Sequence, residues 1–415
     1  MNKFYDALEI RSTQEREAAL MAALPGQVAH AQRHAPALGQ ILAGVDAASI
    51  STRAALARLP VTRKHELLER QSAEREQHLF GGFATQAFGT SMPRVFASPG
   101  PLYEPEGALP DYWRMARALY AAGFRSGELV HNCFSYHFVP AGSMMESGAL
   151  ALGCTVFPGG TGQTEQQAQA MAHMRPAGYI GTPSFLKLIL EKAAELQLPL
   201  PSVTKALLSA EAFPPSLRDW FTERGVAGYQ CYGTADLGLI AYETESREGL
   251  VLDEGVIVEI VRPGTGDPVP EGEVGELVVT TLNRDYPLIR FGTGDLSAVL
   301  PGACPTGRTN ARIKGWMGRA DQTTKVRGMF VHPSQIAAIA ARFPQVLRAR
   351  LVVSGEMAND QMLLRVESTE TSSGLAERLQ DTVRELTKLR GEVELVAPGS
   401  LPNDGKVIED ARSYR

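Results

Sequence analysis

From about residue 107 to residue 232 the sequence alternates helical and strand-like segments at short spacing, and this alternation constrains its fold more than any other feature. ELVHNCF (128–134), CTVFP (154–158), GYIG (178–181), KALLS (205–209) and AGYQCY (227–232) read as short apolar strands. Helical stretches lie between them near 140–151, 164–174, 184–196 and 215–224. A further helix is expected over EGALPDYWRMARALYAAG (106–123), where Trp113, Ala116, Leu119 and Tyr120 share one side. Strands alternating with helices imply βαβ units, and hence an α/β fold with a doubly wound parallel sheet covered on both faces. Ligands of such sheets bind beyond the carboxyl ends of the strands. That rule directs attention to the residues just after Phe134, Leu208 and Cys231.

After residue 240 the pattern changes. VIVEIVRPGTGDPVPEGEVGELVVTTL (256–282) reads as two antiparallel strands around a polar turn, an antiparallel β subdomain. Residues 346–415 give strand, strand, helix (375–390) and strand, a compact α+β unit. The polar, glycine-bearing GWMGRADQTTKVRG (315–328) between them reads as a junction, so the expected division is 1–318 for a large domain and 319–415 for a small mobile one. A chain of 415 residues suits one large core plus a smaller one.

Charge excludes some partners. Lys plus Arg number 41 and Asp plus Glu 46, a net charge of −5, without the basic excess that nucleic acid or an anionic membrane attracts. Cys133, Cys154, Cys231 and Cys304 lie far apart with no CxxC pair, so buried reduced thiols are expected rather than a zinc site. MNKFYDALEIRSTQEREAAL mixes charged and apolar residues with no long apolar core; it reads as neither a secretion signal nor a membrane span, and the cytoplasm is the default compartment. A homodimer is compatible with the sequence, which carries no signal of oligomeric state.

Several short elements, taken together and in order, resemble the phenylacetate-CoA ligase branch of the AMP-forming acyl-CoA synthetases. TTLNRDYPLIRFGTGDLS (280–297) carries an apolar run followed by R-x-x-TGD; GRADQTTKVRGMFVHPSQI (318–336) carries GR-x-D, a basic residue with glycine, and PSQI. Upstream, SAEAFPPSLR (209–218) and YGTADLG (232–238) match two of the family's turns, and LPNDGKVIED (401–410) matches its catalytic-lysine segment. The resemblance implies that Asp295 accepts the ribose hydroxyls, where the residues alone allow a tight-turn acceptor. It implies that Glu211, Tyr232, Gly233 and Thr234 line the nucleotide, where Glu211 also reads as a cap for the helix near Pro214 and Tyr232 as a core tyrosine. Lys406 would supply the ammonium that stabilises charge building on the α-phosphate and carboxylate. Arg319 and Arg327 would face the nucleotide, although both also read as surface charges. Asp321 would be the hinge of the small domain. Tyr136, with His137 and Phe138 beside it, would begin the acyl pocket, where a histidine is more often a hydrogen-bonded wall residue than a catalyst.

Two stretches depart from the pattern. RVFASPGPLYEP (94–105) stands where the family has a glycine-, hydroxyl- and lysine-bearing phosphate loop. Pro99 and Pro101 lack amide hydrogens, and Glu104 occupies the lysine's place, where a charged carboxylate would repel pyrophosphate. In YGTADLG the family's hydroxyl becomes Ala235 and its Mg²⁺-binding glutamate becomes Asp236, whose shorter arm needs a metal nearer the backbone. The resemblance therefore implies a ligase that uses ATP, Mg²⁺ and CoA on a small, aromatic carboxylic acid, through an atypical phosphate loop. Two other readings remain open: an enzyme running only the thioester half-reaction, and a non-catalytic protein that binds AMP or an acyl ligand.

Overall fold

A computed structural model of the chain describes residues 3–320, 322–356, 359–370, 372–402 and 406–412. Its contacts divide it into two compact units, Met1–Met317 and Gly318–Arg415.

The large unit is built on a nine-stranded sheet. Five strands, Leu129–Asn132, Thr155–Pro158, Gly178–Gly181, Lys205–Leu208 and Ala227–Thr234, pair in parallel in the order second, first, third, fourth, fifth. Gly238–Glu243, Leu250–Leu252, Arg312–Ile313 and Val299–Leu300 then continue the sheet antiparallel. Helices Ala141–Ala151, Thr164–Met174, Pro183–Glu195 and Pro215–Thr222 make the crossovers. The central strands of this set are short and buried on both faces, whereas Thr155–Pro158 at the edge is partly exposed. Tyr179, Ile180, Ala206 and Val130 are fully buried. The strand order reverses between Leu129–Asn132 and Gly178–Gly181, and a crevice opens at such a switch point.

The helix expected over 106–123 is confined to Met115–Ala121. Asp111 and Arg114 sit at φ of 50° and 63°, which a helix does not admit. The Asp111 carboxylate accepts the Ala116 amide at 3.1 Å, in the first turn of the helix, which starts nine residues later than expected. Trp113 is still buried, as its place in the apolar pattern requires, but its indole N–H goes to Glu106 at 3.0 Å.

A second sheet of four strands joins Val256–Val261, Gly275–Thr281 and Phe291–Ser297 antiparallel, with Thr62–Arg63 added in parallel at the edge. Arg290 fixes it. Its buried guanidinium is paired with Glu259 at 3.0 Å and donates to the carbonyls of Ala57 and Gly266 at 2.8 and 2.6 Å. This arginine, read in sequence only as the head of R-x-x-TGD, thus sutures two loops to the strand that carries Asp295.

In the small unit, Val346–Glu356 and Asn359–Ser368 form an antiparallel pair flanked in parallel by Glu392–Val396 and Ile408–Asp410. The amphipathic helix Ser373–Thr387 packs Leu375, Leu379 and Val383 onto that sheet. The short hairpin Thr324–Val326/Met329–Val331 precedes it.

Candidate active site

The ends of the parallel strands are laced to one another. The Cys133 amide donates to the Ile180 carbonyl at 2.7 Å across the switch point, and the Ser209 hydroxyl donates to the Cys231 carbonyl at 2.8 Å. Glu211, just beyond the fourth parallel strand, accepts from the Ser184 hydroxyl at 2.5 Å and its amide at 3.4 Å. It therefore reaches the first turn of Pro183–Glu195 rather than capping the helix at Pro214, whose cap has no side-chain bond. Glu211 is exposed beyond the carboxyl end of Lys205–Leu208.

Tyr232 is half-buried near the end of the fifth parallel strand, and Gly233 follows it at a bulge. A Cβ on Gly233 would lie 2.5 Å from the Gly238 carbonyl oxygen, so only glycine fits that close return of the chain. Thr234 Oγ1 accepts the Leu237 amide at 3.2 Å and closes the turn.

Asp295 meets this turn from the second sheet. Gly294 at φ 72° and the Asp295 amide bond to Thr293 Oγ1 at 3.1 Å bend the strand and turn the carboxylate out. The Tyr232 hydroxyl donates to Asp295 Oδ2 at 2.7 Å, and the Trp316 indole N–H donates to Oδ1 at 3.1 Å. Two donors from separate segments thereby orient the carboxylate. Trp316 escaped the sequence reading: it lies 21 residues from Asp295, and no spacing marks the pair.

Asp236, expected as the metal ligand, is instead turned inward. Its side chain is 1% exposed, and Oδ2 is paired with the Lys64 ammonium at 3.2 Å while Oδ1 has no hydrogen-bond partner. Buried next to an ammonium, this carboxylate does not fit a resident divalent ion. Among the described residues no group of three or more His, Cys, Asp or Glu side chains is arranged to hold a metal.

The 97–105 stretch is a tight hairpin. Arg94–Ser98 and Leu102–Glu106 pair antiparallel across Pro99-Gly100-Pro101. Glu104 is fully buried and accepts from the Ser98 hydroxyl and, at 3.2 Å, from the Ser98 amide; the Ala97 amide goes to the Phe138 carbonyl at 2.8 Å. Burial first, and the Asp236 carboxylate second, push Glu104 up to about 8. Hairpin alternation points this carboxyl into the core, where burial disfavours its charged form.

On the acyl side, Tyr136 is half-buried, whereas His137 and Phe138 are exposed, Phe138 by 81% and at φ 62°. His137 makes its backbone bond to Ser135 Oγ at 3.1 Å. Both side chains are exposed in this arrangement, with Phe138 on left-handed backbone.

In the small unit, Arg327 donates from Nε and Nη2 to the Asp360 carbonyl at 3.0 and 2.8 Å, and from Nη1 to that of Arg390 at 3.3 Å. Its guanidinium serves the unit's own turns. Arg319 is half-buried, and the expected hinge residue Asp321 lies outside the described residues. Lys406 is exposed; the two amides after it both point at Gln322 Oε1, Val407 at 2.8 Å and Ile408 at 3.4 Å. Thr324 then donates to Asp410 at 3.1 Å. The lysine segment and the segment after the junction, bonded across separations of 85 and 86 residues, are therefore stitched together. Gln322 is the second residue the sequence reading missed.

Comparison with known proteins supplies an independent line. The family model described as AMP-binding enzyme matches residues 111–283, and that of the AMP-binding enzyme C-terminal domain matches 328–411. The phenylacetate-coenzyme A ligase of Thermus thermophilus is 33% identical over 363 residues, covering 83% of this chain and 79% of that protein. That of Aromatoleum evansii is 28% identical over 420 residues, 95% and 93% of the two chains. Among solved structures, 2-hydroxyisobutyryl-CoA ligase in complex with 2-HIB-AMP and CoA superposes with a TM-score of 0.83 at 26% identity, covering 100% of this chain and 93% of that one.

Proposed function

The chain belongs to the phenylacetate-CoA ligase family of AMP-forming enzymes, and we propose that it joins a small aromatic carboxylic acid to CoA by way of an acyl adenylate. In the first step a carboxylate oxygen attacks the α-phosphorus of ATP, the bond to the bridging oxygen breaks, and pyrophosphate leaves. In the second the CoA sulfur, having lost its proton, attacks the acyl carbon, and AMP departs with the electron pair of the carbon–oxygen bond.

The observation that carries this reading is the Asp295 carboxylate, set between the Tyr232 hydroxyl and the Trp316 indole where the two sheets meet. A rigidly oriented carboxylate suits a pair of vicinal hydroxyls, which need an ionised acceptor in a fixed plane. Gly233 lets the neighbouring backbone come close to a flat base, and Glu211 and Thr234 would flank it. Lys406 would bring a mobile point charge to the phosphorus as negative charge builds there, with Arg319 and Arg327 as further cations and Asp321 as the hinge. ATP would enter as its magnesium complex, and no step here is assigned to an ion held by Asp236. Tyr136 would bound the acid.

One observation favours a second reading. In the hairpin 94–106 the Ala97 and Ser98 amides are already engaged, and Pro99 and Pro101 have none. A chain with so few donors there would take a preformed acyl adenylate and run only the thioester step. The test is product analysis with ATP, CoA and a panel of aryl and alkyl acids. Thioester and AMP in equal amounts with an aryl acid support the full reaction. Thioester formed only from supplied acyl adenylate supports the second reading, and neither product under any condition refutes both.

A further inference from the structure

The acyl side of the site holds a hydrogen-bonded network that neither reading uses. Asn132, fully buried at the carboxyl end of the first parallel strand, spends every polar atom of its side chain. Its Nδ2 donates to the Tyr136 hydroxyl at 2.8 Å and to the Gly142 carbonyl at 2.9 Å, while Oδ1 accepts the Phe134 amide at 3.1 Å. Its backbone carbonyl takes the Gly160 amide at 3.0 Å. One side chain thus ties the strand end, the tyrosine and the first turn of Ala141–Ala151 together. From that same helix Glu146 accepts the Tyr136 proton at 2.8 Å. The ring is seated as firmly as the hydroxyl: a Cβ on Gly142 would stand 2.9 Å from it, so the ring lies against bare backbone.

We propose that Asn132 and Glu146 are positioning residues for the acyl group, clamping the Tyr136 hydroxyl from both sides so that the tyrosine offers the substrate ring surface and no proton. The inference rests on the proposed ligase reading and deepens it by naming what the site selects. A phenol whose only proton is committed to a carboxylate cannot donate to a hydroxyl or carbonyl on the acid. Its half-exposed ring remains for edge or face contact with an aryl group, the geometry in which aromatic pairs gain beyond simple burial. Acids with an aromatic ring are therefore favoured over acids of similar size that carry a hydroxyl beside the carboxylate.

The test compares KM for phenylacetate and KM for ATP in the wild type, Tyr136→Phe, Glu146→Ala, Glu146→Gln and the Tyr136→Phe/Glu146→Ala pair. The expected result is a rise of about tenfold in KM for phenylacetate in Glu146→Ala, with KM for ATP within about twofold of the wild type. Recovery in Glu146→Gln, whose amide oxygen still accepts, and a double variant no worse than Tyr136→Phe alone complete the prediction. Additive effects, or a parallel rise in both KM values, overturn the clamp. A second readout stands apart from catalysis: the phenolate absorbance that the wild type shows and Tyr136→Phe lacks. Burial first, and then the Glu146 carboxylate, hold the Tyr136 phenol above its ordinary range, so Glu146→Gln must move its titration to lower pH. If no acid is converted by any form, the ligase reading fails, and this titration alone judges the clamp; an unmoved curve refutes it.

Discussion

Asp295 accepts from the Tyr232 hydroxyl and the Trp316 indole, two donors that fix the plane of its carboxylate. Asp295→Asn keeps the shape and removes the charge; hydrogen bonds to ionised groups contribute up to about 3 kcal/mol. The expected result is a loss of roughly a hundredfold in kcat/KM for ATP, read from initial rates, with kcat/KM for CoA far less affected. Trp316→Phe retains the ring and deletes one donor, so a loss of only about threefold to tenfold is expected. Glu104 makes the second residue-scale prediction. Its carboxyl is held near 8 against an ordinary 4.5, so between those values the folded chain keeps a proton that the unfolded chain has released. Stability is then full below about pH 4.5 and declines as pH rises through about 8. Glu104→Gln, which cannot ionise, flattens that decline. Melting temperatures recorded from pH 5 to pH 8.5 check it, and parallel curves for the two proteins count against the buried, protonated carboxyl.

Elements whose signal is local were legible in the sequence. Gly178–Gly181 and Thr164–Met174 begin and end where their apolar pattern says they should, and the strand pair 256–261/275–281 follows from the turn between its halves. The helix over 106–123 was overread because periodicity continues through Trp113 while Asp111 and Arg114 adopt left-handed backbone, a tertiary choice no periodicity reveals. The same limit hid the side-chain sutures. Arg290 reaches Ala57, 233 residues away, and Lys64 reaches Asp236, 172 away, across separations that leave no repeat in the sequence. The resemblance named Tyr232 and Asp295, which the fold brings into hydrogen-bond contact. Nothing in the sequence indicated that Asp236 is buried against Lys64 or that Phe138 sits exposed on left-handed backbone. Arg290 supplies the prediction at this scale. Arg290→Met strands a buried Glu259 carboxylate and leaves several backbone carbonyls without donors, and breaking a buried pair costs about 3–5 kcal/mol. A drop of that order in unfolding free energy, read from denaturant titration, is expected; a change near zero contradicts the suturing role.

For the whole molecule, the division into Met1–Met317 and Gly318–Arg415 assigns the oriented carboxylate to one unit and the candidate catalytic lysine to the other. Under the proposed reading, a small unit that turned on its junction would present its lysine for adenylation and withdraw it for thiol transfer. Within the small unit, Gln322 accepts the Val407 amide next to Lys406. The most direct measurement of the central claim is acid-dependent exchange of labelled pyrophosphate into ATP by the wild type and Lys406→Ala, run beside thioester formation from supplied acyl adenylate. The account predicts exchange in the wild type, its loss by at least about a hundredfold in Lys406→Ala, and thioester formation near the wild-type rate in both. Exchange that survives the substitution unchanged would contradict it.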